Sequence, residues 1–248
     1  MQDDSVSGHG AGQGRSLNNN LGSRQDPIDR ALQAAAARYV GAHPRFRWYA
    51  HFKYKTDPCY RAIGERVGGD SFTVDLGTGL GMLPVLLGEL GERRRVLGID
   101  WDPERMRCGL HAARGLAGIE MVGGDLRTSP IPACDVITLI DVLHYYEPDQ
   151  QETLLKRCRA ALRPGGRLFL RDGDGARSGG ARWTQMVEGW ATRMRWNRGP
   201  VVRFRPISEL RATLIDLGFH VEEGELASWF LPGNVLLVAE LDKSIQSR

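Results

Sequence analysis

The chain has 248 residues, with 33 Lys or Arg against 30 Asp or Glu, so its net charge is +3 at neutral pH. Hydrophobic residues make up 42% and charged residues 25%, the composition of an ordinary soluble globular protein. No apolar run approaches the ~18 residues of a membrane-spanning helix, and the first residues lack the apolar core of a secretory signal. We therefore expect a soluble, cytoplasmic protein without integral membrane association.

The cysteines show neither a disulfide framework nor a metal-binding pattern. No Cys-x-x-Cys pair and no histidine at ligand spacing accompanies them. They are Cys59, Cys108, Cys134 and Cys158. We interpret them as ordinary thiols and expect no metal site.

The N-terminal quarter divides into a polar tail and a helical segment. Residues 1–25 are rich in Gly, Ser, Asn and Gln and have little to bury, which predicts a disordered tail. Asp26 is placed to cap a helix over residues 27–40. Residues 44–67 predict one or two further helices, interrupted where a proline follows an aspartate. We expect residues 26–69 to form a helical N-terminal cap.

From residue 70 onward, short apolar runs alternate with segments of helical periodicity. The predicted strands lie at residues 72–78, 95–100, 119–125, 134–142 and 166–172, and the predicted helices at residues 82–90, 104–116 and 152–162. This alternation predicts a parallel sheet with helices on both faces.

The C-terminal end departs from that rhythm. Ser208 is placed to cap a helix that reaches Leu217. Residues 219–226 and 234–241 then follow closely enough to pair directly, which adds one antiparallel strand to the sheet. The sequence thus predicts an α/β domain over residues 70–248, with a cap insertion at about 174–205.

The first predicted strand runs into a glycine-rich loop. Residues 74–81 read Val-Asp-Leu-Gly-Thr-Gly-Leu-Gly, and a predicted helix follows at once. Glycines allow a tight turn and let a ligand approach the backbone closely. The second strand ends at Asp100, 21 residues after Gly79, where an acid is positioned to accept both hydroxyls of a ribose. Both a dinucleotide and S-adenosylmethionine fit this pattern.

Two features favour S-adenosylmethionine over a nicotinamide dinucleotide. The position that a dinucleotide motif reserves for its third glycine is Met82. Asp75 and Asp100 also make the site acidic, which suits an ammonium and a sulfonium and opposes a pyrophosphate. These features weaken the case for a nicotinamide-dependent reductase, which stays as an alternative.

Five segments, taken in order, resemble the motifs of class I S-adenosylmethionine-dependent methyltransferases. They are VDLGTGLG, VLGIDWD, GGDLRTSPIP, DVITLIDVLHYY and LRPGGRLFLRD. The resemblance covers residues 70–175. It implies a Rossmann-like α/β fold with a seven-stranded, mostly parallel sheet, one antiparallel C-terminal strand and helices on both faces. It also implies S-adenosylmethionine as cofactor and methyl transfer by in-line displacement.

The same resemblance assigns the methionine and ribose contacts. Asp75 anchors the amino end of the methionine moiety, directly or through water, and Asp100 holds the ribose hydroxyls. The loop residues that pass under the methionine moiety or border it are Gly77, Thr78, Gly79 and Gly81. Asp141 opens the loop after the fourth strand, beside the reacting methyl.

At the adenine end, the resemblance implies a second group of contacts. Trp101 or Asp102 flanks the adenine. Asp125, followed by Leu126, matches the family's third motif, in which the acid accepts a hydrogen bond from the adenine amino group. The alternative for Asp125 is a simple turn residue after two glycines.

His144 and Tyr145 follow the fourth predicted strand, at the strand end where open α/β sheets bind ligands. His144 is the candidate general base, because its ordinary pKa lies near neutrality. Tyr145 is the candidate to face the sulfonium with its ring. The alternatives are a structural histidine bonded to the backbone and a tyrosine packed in the core. Asp172 and Asp174 offer two carboxylates at the rim, one of which would orient a substrate, and the alternative is a simple Asp-Gly turn.

Two basic, aromatic segments lie outside these motifs. Residues 176–205 carry seven arginines against one acid, and residues 43–66 carry six basic residues against two acids. The first predicts a helix with one apolar face, either a lid over the substrate or a helix packed on the core. The apolar residues are Trp183, Met186, Val187, Trp190 and Met194.

These segments also resemble methyltransferases of bacterial aryl-polyene, polyketide and lipid pigment pathways. This second resemblance implies secondary metabolism and a small aromatic, polyene or lipid-like substrate, delivered on an acidic acyl carrier protein. The residues that it would assign to the carrier protein are Lys53, Lys55, Arg193, Arg195 and Arg198.

Two other functions stay open at this point. The basic aromatic segments suit an RNA methyltransferase, but no Asp-Pro-Pro-Tyr-type motif follows the fourth strand, and we expect no nucleic-acid partner. A non-catalytic S-adenosylmethionine-binding protein would use the same fold. The sequence fixes neither the acceptor atom nor the oligomeric state.

Overall fold

The computed structural model describes residues 26–176, 202–224 and 233–243. The tail predicted to be disordered lies outside the described residues. So does most of the predicted insertion, including its apolar helix face and three of the arginines assigned to a carrier protein.

In the described part of the chain that precedes the sheet there are three helices, within the two or three that the sequence predicts. They are α1 (Pro27–Ala37), α2 (Pro44–Thr56) and α3 (Pro58–Arg66). Each begins with a proline, whose fixed φ suits the first helical position and whose missing N–H costs nothing there. The residue before each proline caps the helix, and Asp26 accepts from the Ile28 N–H as predicted. Helix α1 ends at Ala37, three residues before the predicted end.

Among the described residues, seven strands form one sheet and four helices lie between them. The strands are β1 (Phe72–Leu76), β2 (Arg95–Asp100), β3 (Ile119–Gly123), β4 (Cys134–Ile140), β5 (Leu162–Gly173), β6 (Phe219–Gly224) and β7 (Asn234–Leu241). The helices are α4 (Met82–Glu89), α5 (Pro103–Ala112), α6 (Pro148–Ala161) and α7 (Ile207–Asp216). Among the described residues, no helix is both long and apolar enough to cross a membrane.

The strand order is β3-β2-β1-β4-β5-β7-β6. Strands β1 to β5 pair in parallel, whereas β7 runs antiparallel to both of its neighbours. This confirms the predicted Rossmann-like, seven-stranded, mostly parallel sheet with one antiparallel C-terminal strand. The chain reverses its direction of travel across the sheet between β1 and β4, and open α/β sheets bind ligands at such a switch point.

Apolar clusters cover both faces of the sheet. One cluster joins α1 to α5 with strand residues such as Val136 and Phe169. The other cluster joins α6 and α7 with Ile137 and Leu168, which are the sequence neighbours of Val136 and Phe169. Adjacent residues fall into different clusters because side chains alternate across a strand. Burial on both faces explains why the strands read as continuous apolar runs.

The predicted cap of the last helix is wrong. Helix α7 starts at Ile207, one residue before Ser208, and its N-cap residue is Pro206. The Ile207 N–H donates instead to Asp174 Oδ1 at 3.2 Å, from the end of β5. The local pattern favoured Ser208 as the cap, but the helix starts one residue earlier, directly after Pro206. Proline has no side-chain acceptor, so the capping oxygen comes from Asp174, directly after β5.

Asp174→Ala should therefore lower the free energy of unfolding by about 1 kcal/mol, the usual cost of losing a helix cap. Ser208→Ala should change it by less than about 0.5 kcal/mol, as for an ordinary surface substitution. Denaturant unfolding of the two variants side by side checks this. A larger loss for Ser208→Ala than for Asp174→Ala would show that the serine is the cap.

Candidate cofactor and active site

The loop after β1 adopts a backbone that favours glycine at three positions. Gly77, Gly79 and Gly81 have φ of 77°, 53° and 69°. A side chain at Gly77 would overlap Val142, which follows β4, and one at Gly81 would overlap Met121 of β3. The glycines thus let this loop pack directly against the ends of the neighbouring strands.

The Cβ position of Gly79 is bordered by oxygen atoms. A methyl group placed on this residue would lie 3.9 Å from the Gly77 carbonyl oxygen and 4.0 Å from Asp100 Oδ2. No other group among the described residues, apart from its chain neighbours, comes within 4 Å of that position. A cradle lined with hydrogen-bond acceptors suits a ligand that brings hydroxyl or ammonium groups.

Asp100 is held rigidly at the end of β2. Its Oδ2 accepts from the Gly79 N–H and its Oδ1 from the Asp102 N–H, both at 2.8 Å. Each carboxylate oxygen has a further acceptor site, so two positions remain for the paired hydroxyls of a ribose. The buried carboxylate thus has the geometry that the ribose assignment requires.

Asp75 lies deeper, within β1. Its Oδ1 accepts from the Thr138 hydroxyl at 2.5 Å. Burial raises the pKa of Asp75 to about 6, although the Thr138 hydrogen bond opposes the shift. Thr78 is also buried, and its side chain packs over Gly98 of β2 while its N–H donates to the Ile99 carbonyl. The structure thus places the Thr78 side chain against the sheet.

The predicted adenine contacts lie around the ends of β2 and β3. Asp125 accepts from the Arg127 N–H at 2.9 Å and pairs with its guanidinium at 2.5 Å, and these contacts hold the pKa of Asp125 below its ordinary value. Leu126 is buried beside it, and Trp101 is 64% exposed. Asp102 caps α5, so its carboxylate is already used by the backbone of the helix.

Two helices of the N-terminal segment support the glycine loop from behind. The Tyr39 hydroxyl donates to the Leu80 carbonyl at 2.9 Å, and the Tyr54 hydroxyl donates to the Met82 carbonyl at 2.6 Å. Burial is the main reason that the pKa values of both tyrosines are raised, so both hydroxyls stay protonated as donors. Helix α2 and the turn after α1 therefore fix the backbone that would carry the cofactor.

A histidine–aspartate pair lies beyond β4. A short 3₁₀ helix, Leu143–Tyr145, turns His144 back toward the sheet, where its Nδ1 lies 2.5 Å from Asp172 Oδ1. Burial alone would lower the pKa of His144, but the charge and hydrogen bond of Asp172 outweigh it and raise the pKa. The carboxylate fixes the imidazole orientation and favours the proton on Nδ1, which leaves Nε2 as the basic atom.

The interpretation of Asp172 as a rim residue is wrong. It is 3% exposed, and it accepts from the Gly173 N–H in addition to its contact with His144. Asp174, the second predicted rim carboxylate, caps α7. His144 and Asp172 meet because β5 pairs with β4 in parallel, a neighbour relation that local sequence patterns do not specify.

Aromatic rings enclose the imidazole. The ring centroid of His144 lies 4.3 Å from that of Tyr145 and 4.6 Å from that of Phe204. The Arg203 N–H also donates to the His144 carbonyl oxygen at 2.8 Å. No local pattern points to Phe204, which lies 60 residues further along the chain than His144.

Asp141 lies directly after β4 and carries a positive φ of 56°. Its Oδ2 accepts from Arg171 at 2.8 Å and faces Lys53 at 3.4 Å. Lys53 also pairs with Asp57 at 2.7 Å and is buried. The prediction that Lys53 contacts a carrier protein is therefore wrong, because helix α2 turns this residue inward, whereas Lys55 is exposed.

Comparison with known proteins agrees with this geometry. The family described as "Methyltransferase domain" matches residues 74–170. A carboxy-S-adenosyl-L-methionine synthase of Salmonella arizonae is 32% identical over 114 residues, which are 44% of this chain and 46% of that protein. Flavonoid 7-O-methyltransferase 1 of Ocimum basilicum is 32% identical over 139 residues, 53% of this chain and 39% of that protein. The chain thus spans less than half the length of these relatives.

A solved structure shows the same fold over most of the chain. An O-methyltransferase family protein from Burkholderia thailandensis superposes with a TM-score of 0.62 at 17% identity, covering 88% of this chain and 72% of that one. Residues 74–170 thus match a methyltransferase domain, and the sheet order and the glycine loop are those expected of the class I S-adenosylmethionine-dependent methyltransferase fold. Its cofactor is S-adenosylmethionine, and the acceptor oxygens of Gly77 and Asp100 beside Gly79 fit that group.

Asp100→Ala should weaken S-adenosylmethionine binding by roughly 10- to 100-fold, because each charge-assisted hydrogen bond contributes about 1.5–3 kcal/mol. Isothermal titration calorimetry measures the Kd. Asp216→Ala is the control, since that carboxylate is exposed at the end of α7, and its Kd should change by less than about threefold. Equal losses in the two variants would contradict the ribose assignment of Asp100.

Proposed function

We propose that this protein transfers a methyl group from S-adenosylmethionine to a hydroxyl oxygen of a small aromatic substrate. The observation that carries this proposal is the buried pair of His144 and Asp172 at the end of β4 and β5. Methyl transfer to a phenol benefits from a base at this place, because the neutral hydroxyl is a weak nucleophile. The flavonoid O-methyltransferase relative supports both the acceptor atom and the aromatic class.

His144 acts on the substrate as a general base in this proposal. Asp172 holds Nδ1, so Nε2 accepts the hydroxyl proton while the substrate oxygen attacks the methyl carbon in line. When bound, S-adenosylmethionine supplies a methyl group activated by its sulfonium. Alignment of the two reactants accounts for roughly 7–11 kcal/mol of the barrier in well-oriented reactions. The elevated pKa of His144 brings its basicity closer to that of a phenol.

Further hypotheses concern how the substrate is delivered to the protein and in which kind of metabolism the protein acts. Exposed basic residues on α2, among them Arg47 and Lys55, support an acidic acyl carrier protein as donor of the substrate. Polyene and lipid-like substrates, secondary metabolism and a cytoplasmic location belong to the same hypothesis. We further propose that residues 26–69 act as a cap on a methyltransferase domain over residues 70–248, supported by the tyrosine contacts to the glycine loop.

His144→Ala should reduce kcat on a hydroxylated aromatic acceptor by about 10²- to 10⁴-fold, the usual contribution of a general base. The Kd for S-adenosylmethionine should stay within about threefold of wild type, because the imidazole is assigned to the substrate. Methyl transfer to a panel of flavonoids and simple phenols, together with calorimetry, measures both.

His220→Ala, an exposed histidine on β6, is the control and should retain full activity. Wild-type turnover in His144→Ala would remove this residue from the mechanism. Tight cofactor binding without transfer to any acceptor would favour the non-catalytic alternative, and transfer to RNA alone would favour a nucleic-acid methyltransferase.

Asp172→Asn should shift the pH dependence of kcat toward lower pH. The charge of Asp172 raises the pKa of His144, so its removal lets the imidazole lose its proton at lower pH. Because the base must be neutral to act, the rising limb of the profile should move down in pH, and kcat at its plateau should fall. A limb that stays in place, or moves up, would show that His144 does not titrate in the reaction.

A further inference from the structure

Four charged side chains form a cluster where the N-terminal helices meet the ends of β4 and β5. Arg171 bridges Asp57 at 2.9 Å and Asp141 at 2.8 Å, and Lys53 faces the same two carboxylates at 2.7 and 3.4 Å. The Arg171 side chain is only 1% exposed. Two cations balance two anions, so the cluster is neutral as a whole.

The two carboxylates use their acceptor atoms differently. Asp57 engages both oxygens, since Oδ1 accepts from the Cys59 N–H while Oδ2 binds both cations. Asp141 offers only Oδ2 to the cations, and its Oδ1 has no hydrogen bond from the described residues. The Asp141 side chain is also 35% exposed, against 3% for Asp57. One negative oxygen of the cluster thus faces outward.

The position of that oxygen is set by an unusual backbone. Asp141 is the non-glycine residue with positive φ among the described residues, a conformation that persists where surrounding contacts hold it. Its N–H donates to the Arg171 carbonyl at 3.0 Å, and the next residue, Val142, packs on Gly77 of the glycine loop. The outward carboxylate is therefore fixed at the switch point between β1 and β4.

We propose that Asp141 presents its charge to the sulfonium of S-adenosylmethionine, and that Lys53 and Asp57 are positioning residues that hold Asp141 there. The inference rests on the proposed function for the presence of a sulfonium at this place. A carboxylate near a fixed positive charge binds it more tightly than it binds a neutral sulfur. The site therefore favours S-adenosylmethionine over its demethylated product, S-adenosylhomocysteine, which helps product release.

The first experiment is calorimetric titration of wild type and Asp141→Asn with both compounds. The substitution keeps the shape of the side chain and removes its charge. The Kd for S-adenosylmethionine should rise about tenfold, while that for S-adenosylhomocysteine should change less than about threefold. Equal changes for the two compounds overturn the inference but leave the proposed function intact. No binding of S-adenosylmethionine to wild type overturns the proposed function itself.

The second experiment tests the positioning residues. Asp57→Asn should reduce the preference for S-adenosylmethionine in the same direction, by roughly three- to tenfold. Arg61→Gln is the matched control, because Arg61 lies on α3, the helix that Asp57 caps, but is not part of the cluster. The substitution removes the ion pairs of Arg61 with Asp29 and Glu65. That variant should keep the wild-type preference.

Should Asp57→Asn fail to fold, Lys53→Met keeps the aliphatic part of the side chain and removes one cation that holds Asp141. Loss of this cation leaves the cluster net negative, so charge alone would raise the preference for S-adenosylmethionine, whereas loss of the contact that positions Asp141 lowers it. We expect the preference to fall, and a rise would overturn the positioning role. A folded Asp57→Asn or Lys53→Met protein with the wild-type ratio of the two Kd values would overturn the positioning role.

Discussion

The contact between Gly77 and Val142 is the constraint on which the site depends. It brings the loop after β1 against the loop after β4, and only a residue without a side chain fits there. The left-handed backbone of the glycine loop and the strand order meet at this point. The cofactor cradle and the residues that follow β4 consequently share one edge of the sheet. Positioning, which supplies much of the rate in methyl transfer, is thus built into the fold.

The end of β5 places one charged side chain on each face of the sheet. Consecutive side chains of a strand point to opposite faces, so Arg171 enters the cluster beneath the N-terminal helices while Asp172 reaches His144 on the other side. One residue steadies the carboxylate of Asp141, and the other orients the imidazole. Burying these groups is favourable only because each is paired, which makes both contacts sensitive to single substitutions.

The sequence predicted the sheet, its one antiparallel strand and the three N-terminal helices, because periodicity and prolines are local signals. The glycine loop and Asp100 were also readable, since their spacing reflects one strand–loop–helix unit. The partner of His144, the burial of Lys53 and the cap of α7 were not predicted. Each depends on contacts between residues 28 or more positions apart, which only the strand order brings together. Local patterns therefore favoured Ser208 and a surface role for Lys53.

The function of the protein depends on which ligand binds beside Gly79 and Asp100. Titration with S-adenosylmethionine and with NADH in parallel calorimeter runs tests this most directly. S-adenosylmethionine should bind with micromolar affinity and NADH should give no heat, since the carboxylates of Asp75 and Asp100 oppose a pyrophosphate. Binding of NADH alone would contradict S-adenosylmethionine as the cofactor.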